Sequence, residues 1–266
     1  GATTVNKVCG SGMKTVMLAH DLIKAGSANV VIAGGMENMS QAPYLLDKAR
    51  GGMRMGHGKV LDHMFLDGLE DAYTGGAMGT FAQNTADDFQ LTREQMDGFA
   101  LSSLEKANNA IAAGAFNAEI TPVTVSNRRG DTVIDTDEQP GNARPDKIPT
   151  LRAAFAKDGT ITAANSSSIS DGAAALMLMT RAQASELKLE VMATIKAHTT
   201  HAQEPSMFTT APVGAMNKLL EKVSWSKDEV DLFEINEAFA MVTMLAVSEL
   251  GLDSEKVNVN GGACAL

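Results

Sequence analysis

The chain has 266 residues, 44% hydrophobic and 20% charged, which is the make-up of a globular protein with room for one large domain or two ordinary ones. A net charge of −10 argues against nucleic acid as a partner, and no uninterrupted apolar run reaches the length of a membrane span. Two cysteines cannot build a disulfide framework, so a cytoplasmic protein is expected.

Gly1-Ala2-Thr3-Thr4-Val5 reads as the interior of a fold and Gly261 to Leu266 stops abruptly, so the chain is expected to be a fragment. Cys9 follows a β-type run and opens a helical pattern, with Met13, Val16, Met17, Ala19 and Leu22 on one face and an end near Gly26. A thiol at the mouth of a helix faces unpaired backbone N–H groups that favour its thiolate, which points to a nucleophile. Gly10 and Gly12 would let a substrate come close to the backbone there. The plainer reading of Cys9 is a small buried hydrophobe.

Asn29 to Gly35 is a short apolar run of the kind buried in a parallel sheet, and strand, helix, strand in that order points to a doubly wound α/β core. From about Met36 to Thr162 the pattern changes to glycine-rich turns, a helix over 92–113 and a polar, proline-bearing tract over 127–149. Thr92 is placed as that helix's N-cap, with Gln95 in the capping-box position. The stretch reads as a long excursion able to cover a site. Regular pattern returns with a buried strand over 171–179 and a short helix over 181–187. A second α/β unit then has a strand through Lys196, helices over 213–223 and 238–250, a strand over 230–235 and another from Val257.

Several constellations carry chemistry. Glu234-Ile235-Asn236-Glu237-Ala238-Phe239-Ala240 lies where a predicted strand enters a helix, the place where open α/β sheets bind ligands. Asn236 can hold a water there without carrying charge, or simply cap the helix. Ala164 to Gly172 is a serine-rich turn before a strand, and Asn258-Val259-Asn260-Gly261-Gly262 again sets backbone at a strand end. Arg50, Arg54, His57 and Lys59, and Arg128, Arg129, Arg144, Lys147 and Arg152, form basic clusters suited to a small anion or to solvent alone. His198 and His201 stand three apart with no carboxylate or cysteine pattern beside them, so no metal site is expected.

In their order and spacing, the Cys9 block, Gly34-Gly35-Met36-Glu37-Asn38-Met39-Ser40, the serine-rich turn with Asp171-Gly172-Ala173-Ala174, Asn236 to Ala240 and Asn258 to Gly262 resemble the thiolase family over essentially the whole chain. The resemblance implies an α/β fold with a thiolase-like duplicated core and a large inserted loop domain. Residues 1–38 and 163–188 would form the N-terminal core, 39–162 the loop domain covering the active site, and 189–266 the C-terminal core. It further implies acyl transfer to and from coenzyme A. Cys9 would take the acyl group, Asn236 would hold a water facing the second substrate's thioester oxygen, Met78 and Phe239 would line the pantetheine and acyl pocket, and Ser167 would contact the pantetheine arm. Arg144 is a candidate for the nucleotide. Coenzyme A is substrate and product, no separate cofactor is expected, and the protein would be a homodimer or homotetramer.

Asp62 to Tyr73 resembles the covering loop of acetoacetyl-CoA-type members, which favours a short-chain acetyl-CoA acetyltransferase. A longer-chain 3-ketoacyl-CoA thiolase of fatty-acid breakdown is the near alternative, and a non-catalytic acyl-CoA or lipid binder of the same fold is the alternative from another class. The family's Gly-His-Pro motif and second cysteine would follow Leu266, so this chain alone is expected to turn over little. Cys264 reads as a small core side chain rather than that second cysteine, and Ala77 stands where many members carry His. The sixteen methionines read mainly as core filling.

Overall fold

The computed structural model describes every residue from Gly1 to Leu266. In chain order the main elements are α1 (Ser11–Lys24), β1 (Val30–Asn38), β2 (Tyr44–Leu45), β3 (Leu61–Asp62), α2 (Met78–Asp88), α3 (Arg93–Ala112), β4 (Val123–Asn127) and β5 (Gly130–Ile134). They continue with α4 (Glu138–Asn142), β6 (Asp171–Met179), α5 (Arg181–Glu186), α6 (Ala211–Val223) and α7 (Ala240–Leu250). The chain divides into two compact units, Gly1–Ala72 with Ile169–Thr199 and Tyr73–Ser168 with Thr200–Leu266. These boundaries run differently from the three-part division drawn from the sequence. No helix is long and apolar enough to cross a membrane.

The first unit is built on β1 and β6, paired from Val30↔Met179 to Asn38↔Asp171. The pairing is antiparallel, which corrects the expectation of a parallel sheet for this part of the chain. A parallel return needs a crossover that brings the chain back to the starting end of the first strand. Here the chain re-enters where β1 ends: the Ser40 N–H donates to Asp171 Oδ1 at 2.9 Å, tying the end of one strand to the start of the other. Helix α1 packs on this ladder through Gly12 and Thr15, whose hydroxyl donates to the Gly34 carbonyl at 2.9 Å. A Cβ on Gly34 would lie 2.2 Å from the Ala174 carbonyl oxygen, so only glycine allows the two strands this approach. One helix cannot cover both faces of a two-stranded ladder, which is why the apolar strands are not buried throughout. Ile32 is 76% exposed, and Leu176 and Met177 are exposed as well.

The second unit is mainly helical. Its core joins Ala82 and Ala86 of α2, Met96 of α3, Ile161, and Met241, Val242 and Leu245 of α7. Helix α7 is apolar over most of its length and buried through Ala246, with Ser248 and Glu249 exposed near its end, and α3 and α6 flank it. The capping box expected at Thr92 and Gln95 is present, with both reciprocal bonds made. Helix α2 and the hairpin β4–β5 were not expected from the sequence, since α2 is rich in small polar residues and the hairpin is exposed on both faces. The strands expected through Lys196, over 230–235 and from Val257 do not form as ladders. Of these, the second unit keeps one parallel bridge, Phe233↔Val257, because an apolar run becomes a strand only where a neighbour accepts its hydrogen bonds.

Candidate active site

Cys9 sits in a tight turn immediately before α1. Val8 takes the left-handed conformation with φ +49°, unusual for a β-branched residue and a local strain that needs support. The support is a set of short-range bonds: the Gly10 N–H donates to the Lys7 carbonyl at 3.0 Å, the Ser11 N–H to the Val8 carbonyl at 3.2 Å, and the Lys7 N–H to Ser11 Oγ at 2.7 Å. The Val8 N–H donates to Asn6 Oδ1 at 2.9 Å. Held this way, Cys9 is exposed and free, one residue outside the Gly10 N-cap. Under the first turns of α1 lies an apolar cavity of about 230 Å³, lined by Gly12, Met13, Val16, Gly35 and Ala174 among others. The other thiol differs in every respect. Burial, with the nearby Glu237 charge as a second cause, pushes Cys264 far above the usual thiol range, and its side chain packs against the main core. That is the small core side chain expected for Cys264.

In the second unit, Asn236 is exposed in a segment with no regular structure, between two buried residues. Ile235 is held by Asn258, whose Oδ1 accepts from the Ile235 N–H at 2.8 Å and whose Nδ2 donates to the Ile235 carbonyl at 2.8 Å. Glu237, 1% exposed, accepts from Ser103 Oγ at 2.8 Å, Asn258 Nδ2 at 2.8 Å and the Cys264 N–H at 3.0 Å. Phe239 is the N-cap of α7, so Asn236 does not take the capping role the sequence left open to it. Both flanks are fixed and the Asn236 amide faces outward. This is a rigid mount for a neutral hydrogen-bonding group.

The segment 258–262 is also more structural than its sequence implied. Asn258 is buried with φ +45°, while Gly261 and Gly262 leave room for neighbours: a Cβ on Gly261 would lie 2.6 Å from the Ser103 carbonyl oxygen, and one on Gly262 would lie 2.4 Å from the Glu237 carboxyl carbon. Glu237 and Asn258 as a clamp escaped the sequence reading. The available signal was an acid set among apolar residues just ahead of a mostly apolar helix.

The serine-rich turn meets this mount directly. The Ser167 N–H donates to the Ala238 carbonyl at 3.1 Å, the Ala240 N–H to the Asn165 carbonyl at 2.9 Å, and Ser166 bridges Phe239. Asn165 is fully buried, donating to Asp97 Oδ1 at 3.1 Å and the Thr160 carbonyl at 2.9 Å, which leaves the Ser167 side chain exposed at the rim. Phe239 meets Phe155 edge-on at 6.5 Å between ring centroids. The Phe155 ring in turn covers Gly79, where a Cβ would come within 2.1 Å of it. Met78, the first residue of α2, adjoins Gly79 under the Phe155 ring, and Ser167 lies beside Phe239 through its bond to the Ala238 carbonyl. Arg144 is not among them. It is exposed ahead of the short 3-10 helix Pro145–Thr150, and its carbonyl accepts from the Lys147 N–H at 2.9 Å.

Two family models cover nearly the whole chain: Thiolase, N-terminal domain over residues 1–182, and Thiolase, C-terminal domain over residues 189–266. The chain is 47% identical to an acetyl-CoA acetyltransferase of Pseudomonas aeruginosa, covering 100% of this chain and 68% of that protein. It is 49% identical to acetyl-CoA acetyltransferase 2 of Arabidopsis thaliana, covering 99% of this chain and 66% of the relative. Among solved structures, the Acat5 thiolase of Ascaris suum in complex with coenzyme A matches 98% of this chain and 67% of its own, with a TM-score of 0.92 and 40% identity.

Proposed function

The chain belongs to the thiolase family, and from that premise we propose that it carries the acyl-accepting half of an acetyl-CoA acetyltransferase, with Cys9 as nucleophile. The observation that carries the reading is the contrast between the two thiols: Cys9 exposed on a braced turn at the head of α1, Cys264 half-buried against the core with its thiol pushed up.

The Cys9 sulfur attacks the thioester carbon of acetyl-CoA, the carbon–sulfur bond to coenzyme A breaks, and coenzyme A leaves with a proton. The acetyl group stays on Cys9 as a thioester, whose carbonyl is poorly resonance-stabilised. A second acetyl-CoA loses a methyl proton, and the resulting carbanion attacks the enzyme thioester. A carbon–carbon bond forms, the bond to Cys9 breaks, the Cys9 thiolate takes back a proton to balance the one lost from the methyl group, and acetoacetyl-CoA is released. Thiolysis is the same path reversed. Asn236 has the role of holding a water against the thioester oxygen of the second substrate, where negative charge develops as the methyl proton leaves. Met78, Phe239 and the exposed Ser167 serve as contacts for the pantetheine arm and acyl group, and Arg144 is assigned to the nucleotide end. Coenzyme A enters and leaves as substrate and product, and the transfer needs no other cofactor.

The partner is therefore acyl-CoA. We assign the protein to the cytoplasm, since a free exposed nucleophilic thiol suits a reducing compartment, and to a homodimer or homotetramer, as the family likeness implies.

The test is peptide-mapped mass spectrometry after incubation with acetyl-CoA. An acetyl group on Cys9 that is lost on adding coenzyme A establishes the first half-reaction. Bound acetyl-CoA with no adduct on Cys9 overturns the enzymatic reading and leaves a carrier of acyl-CoA.

A further inference from the structure

Three side chains far apart in the sequence meet at one spot in the first unit. His20 and Asp21 are neighbours on α1, and His198 arrives from the extended segment after α5. Asp21 Oδ1 is 3.1 Å from His20 Nδ1 and 2.8 Å from His198 Nε2, so a single carboxyl oxygen faces both rings. The imidazoles meet edge to face with centroids 5.2 Å apart. One donor atom from each side chain can be chosen so that all three lie within 4.8 Å of one another.

We propose that His20, Asp21 and His198 form a binding site for a borderline divalent cation, Zn²⁺ in the first instance. Two ligands each about 2.0–2.1 Å from a tetrahedral ion lie about 3.3 Å apart. The two nitrogen–oxygen separations are already close to that, and the two ring nitrogens lie within 4.8 Å of each other. Two imidazole nitrogens with one carboxyl oxygen is a donor set for zinc, copper or nickel, whereas magnesium and calcium require mostly oxygen.

The surroundings suit an ion as well. The two histidine side chains are 15% and 20% exposed, set into the surface with little freedom to lose. Asp21 is 58% exposed, which leaves the remaining coordination positions to water. On binding, each ring nitrogen that faces Asp21 gives up its proton to its other nitrogen or to solvent, and the hydrogen bonds are exchanged for metal bonds. The ion then ties the C-terminal half of α1 to the segment 191–199. The sequence offered His198 only His201 as a companion. His201 instead packs against Gly214 and contacts Gln203, and the ligands for His198 came from a helix some 180 positions earlier.

Calorimetric titration of the protein with Zn²⁺, with Mg²⁺ as the comparison, tests the site. Saturation at one ion per chain, no response to Mg²⁺, and at least tenfold weaker Zn²⁺ binding in both His20→Gln and His198→Gln are expected. Absence of saturable Zn²⁺ binding overturns the proposal, and so does binding that both variants retain. Co²⁺ absorption of the unaltered protein gives a reading that does not depend on the variants folding. Visible d–d bands of a four- or five-coordinate ion without thiolate charge transfer are expected, and a thiolate band would put the ion on Cys9 and overturn the site.

Discussion

The side-chain amide of Asn258 lies between Ile235 and Glu237, donating from one nitrogen to the carbonyl of the first and the carboxyl of the second at 2.8 Å each. The exposed Asn236 is thereby fixed on both sides by buried bonds. Replacing Glu237 by Ala leaves Ser103, Asn258 and the Cys264 N–H short of an acceptor in a closed environment, with an expected loss of about 3 kcal/mol. Glu237→Gln turns one acceptor into a donor facing donors and costs about 1–2 kcal/mol. Urea unfolding of both variants measures the difference, and equal, negligible losses would mean that the clamp does not hold the segment.

At Gly34 an added methyl meets backbone on the opposite strand, 2.2 Å from the Ala174 carbonyl oxygen. Neither side can give without shifting the β1–β6 register. Gly34→Ala is expected to cost about 3 kcal/mol, at the upper end of overpacking effects, and to lower the melting temperature by several degrees. Thermal unfolding followed by circular dichroism checks this.

The two thiols separate by reactivity. Iodoacetamide is expected to label Cys9 in the folded protein and Cys264 only after denaturation, because burial and then the Glu237 charge keep the latter protonated. Cys9→Ala is expected to change stability by less than about 0.5 kcal/mol, since its side chain is exposed. Native labelling of Cys264 would contradict the burial on which the contrast rests.

Asp171 links stability to pH. The Ser40 hydroxyl first, and the Ser40 N–H second, hold its carboxyl below the ordinary value of 3.8. A carboxyl lowered on folding binds fewer protons in the native state, so its contribution is complete above that ordinary value and is lost as the pH falls through the folded value. Ser40→Ala is expected to move the Asp171 titration upward, towards 3.8, as followed by carboxyl carbon NMR. An unchanged titration would show that the hydroxyl bond is not the cause.

Local chemistry was readable where a few neighbouring residues settle it. Thr92 and Gln95 form their capping box within four positions, and α1, α5, α6 and α7 follow from apolar spacing and the turns at their ends. Helix α2 was missed because its glycine, threonines, asparagine and aspartates hide a buried face, Ala82 and Ala86, that only the packing reveals. Val123-Thr124-Val125-Ser126 does alternate apolar and polar residues, but the hairpin β4–β5 is exposed on both faces and lies within a stretch that reads as a polar excursion.

By itself the sequence determined the candidate residues, the Cys9 thiol and the Asn236 amide, and the helices α1, α3, α5, α6 and α7, because residue chemistry, caps and apolar periods are properties of short stretches of chain. Tertiary structure alone decided the antiparallel sense of β1 and β6, the clamp of Glu237 and Asn258 around Asn236, and the meeting of His198 with His20 and Asp21. Each joins residues distant along the chain, and the geometry of such a meeting is set by packing and buried hydrogen bonds that no local pattern encodes.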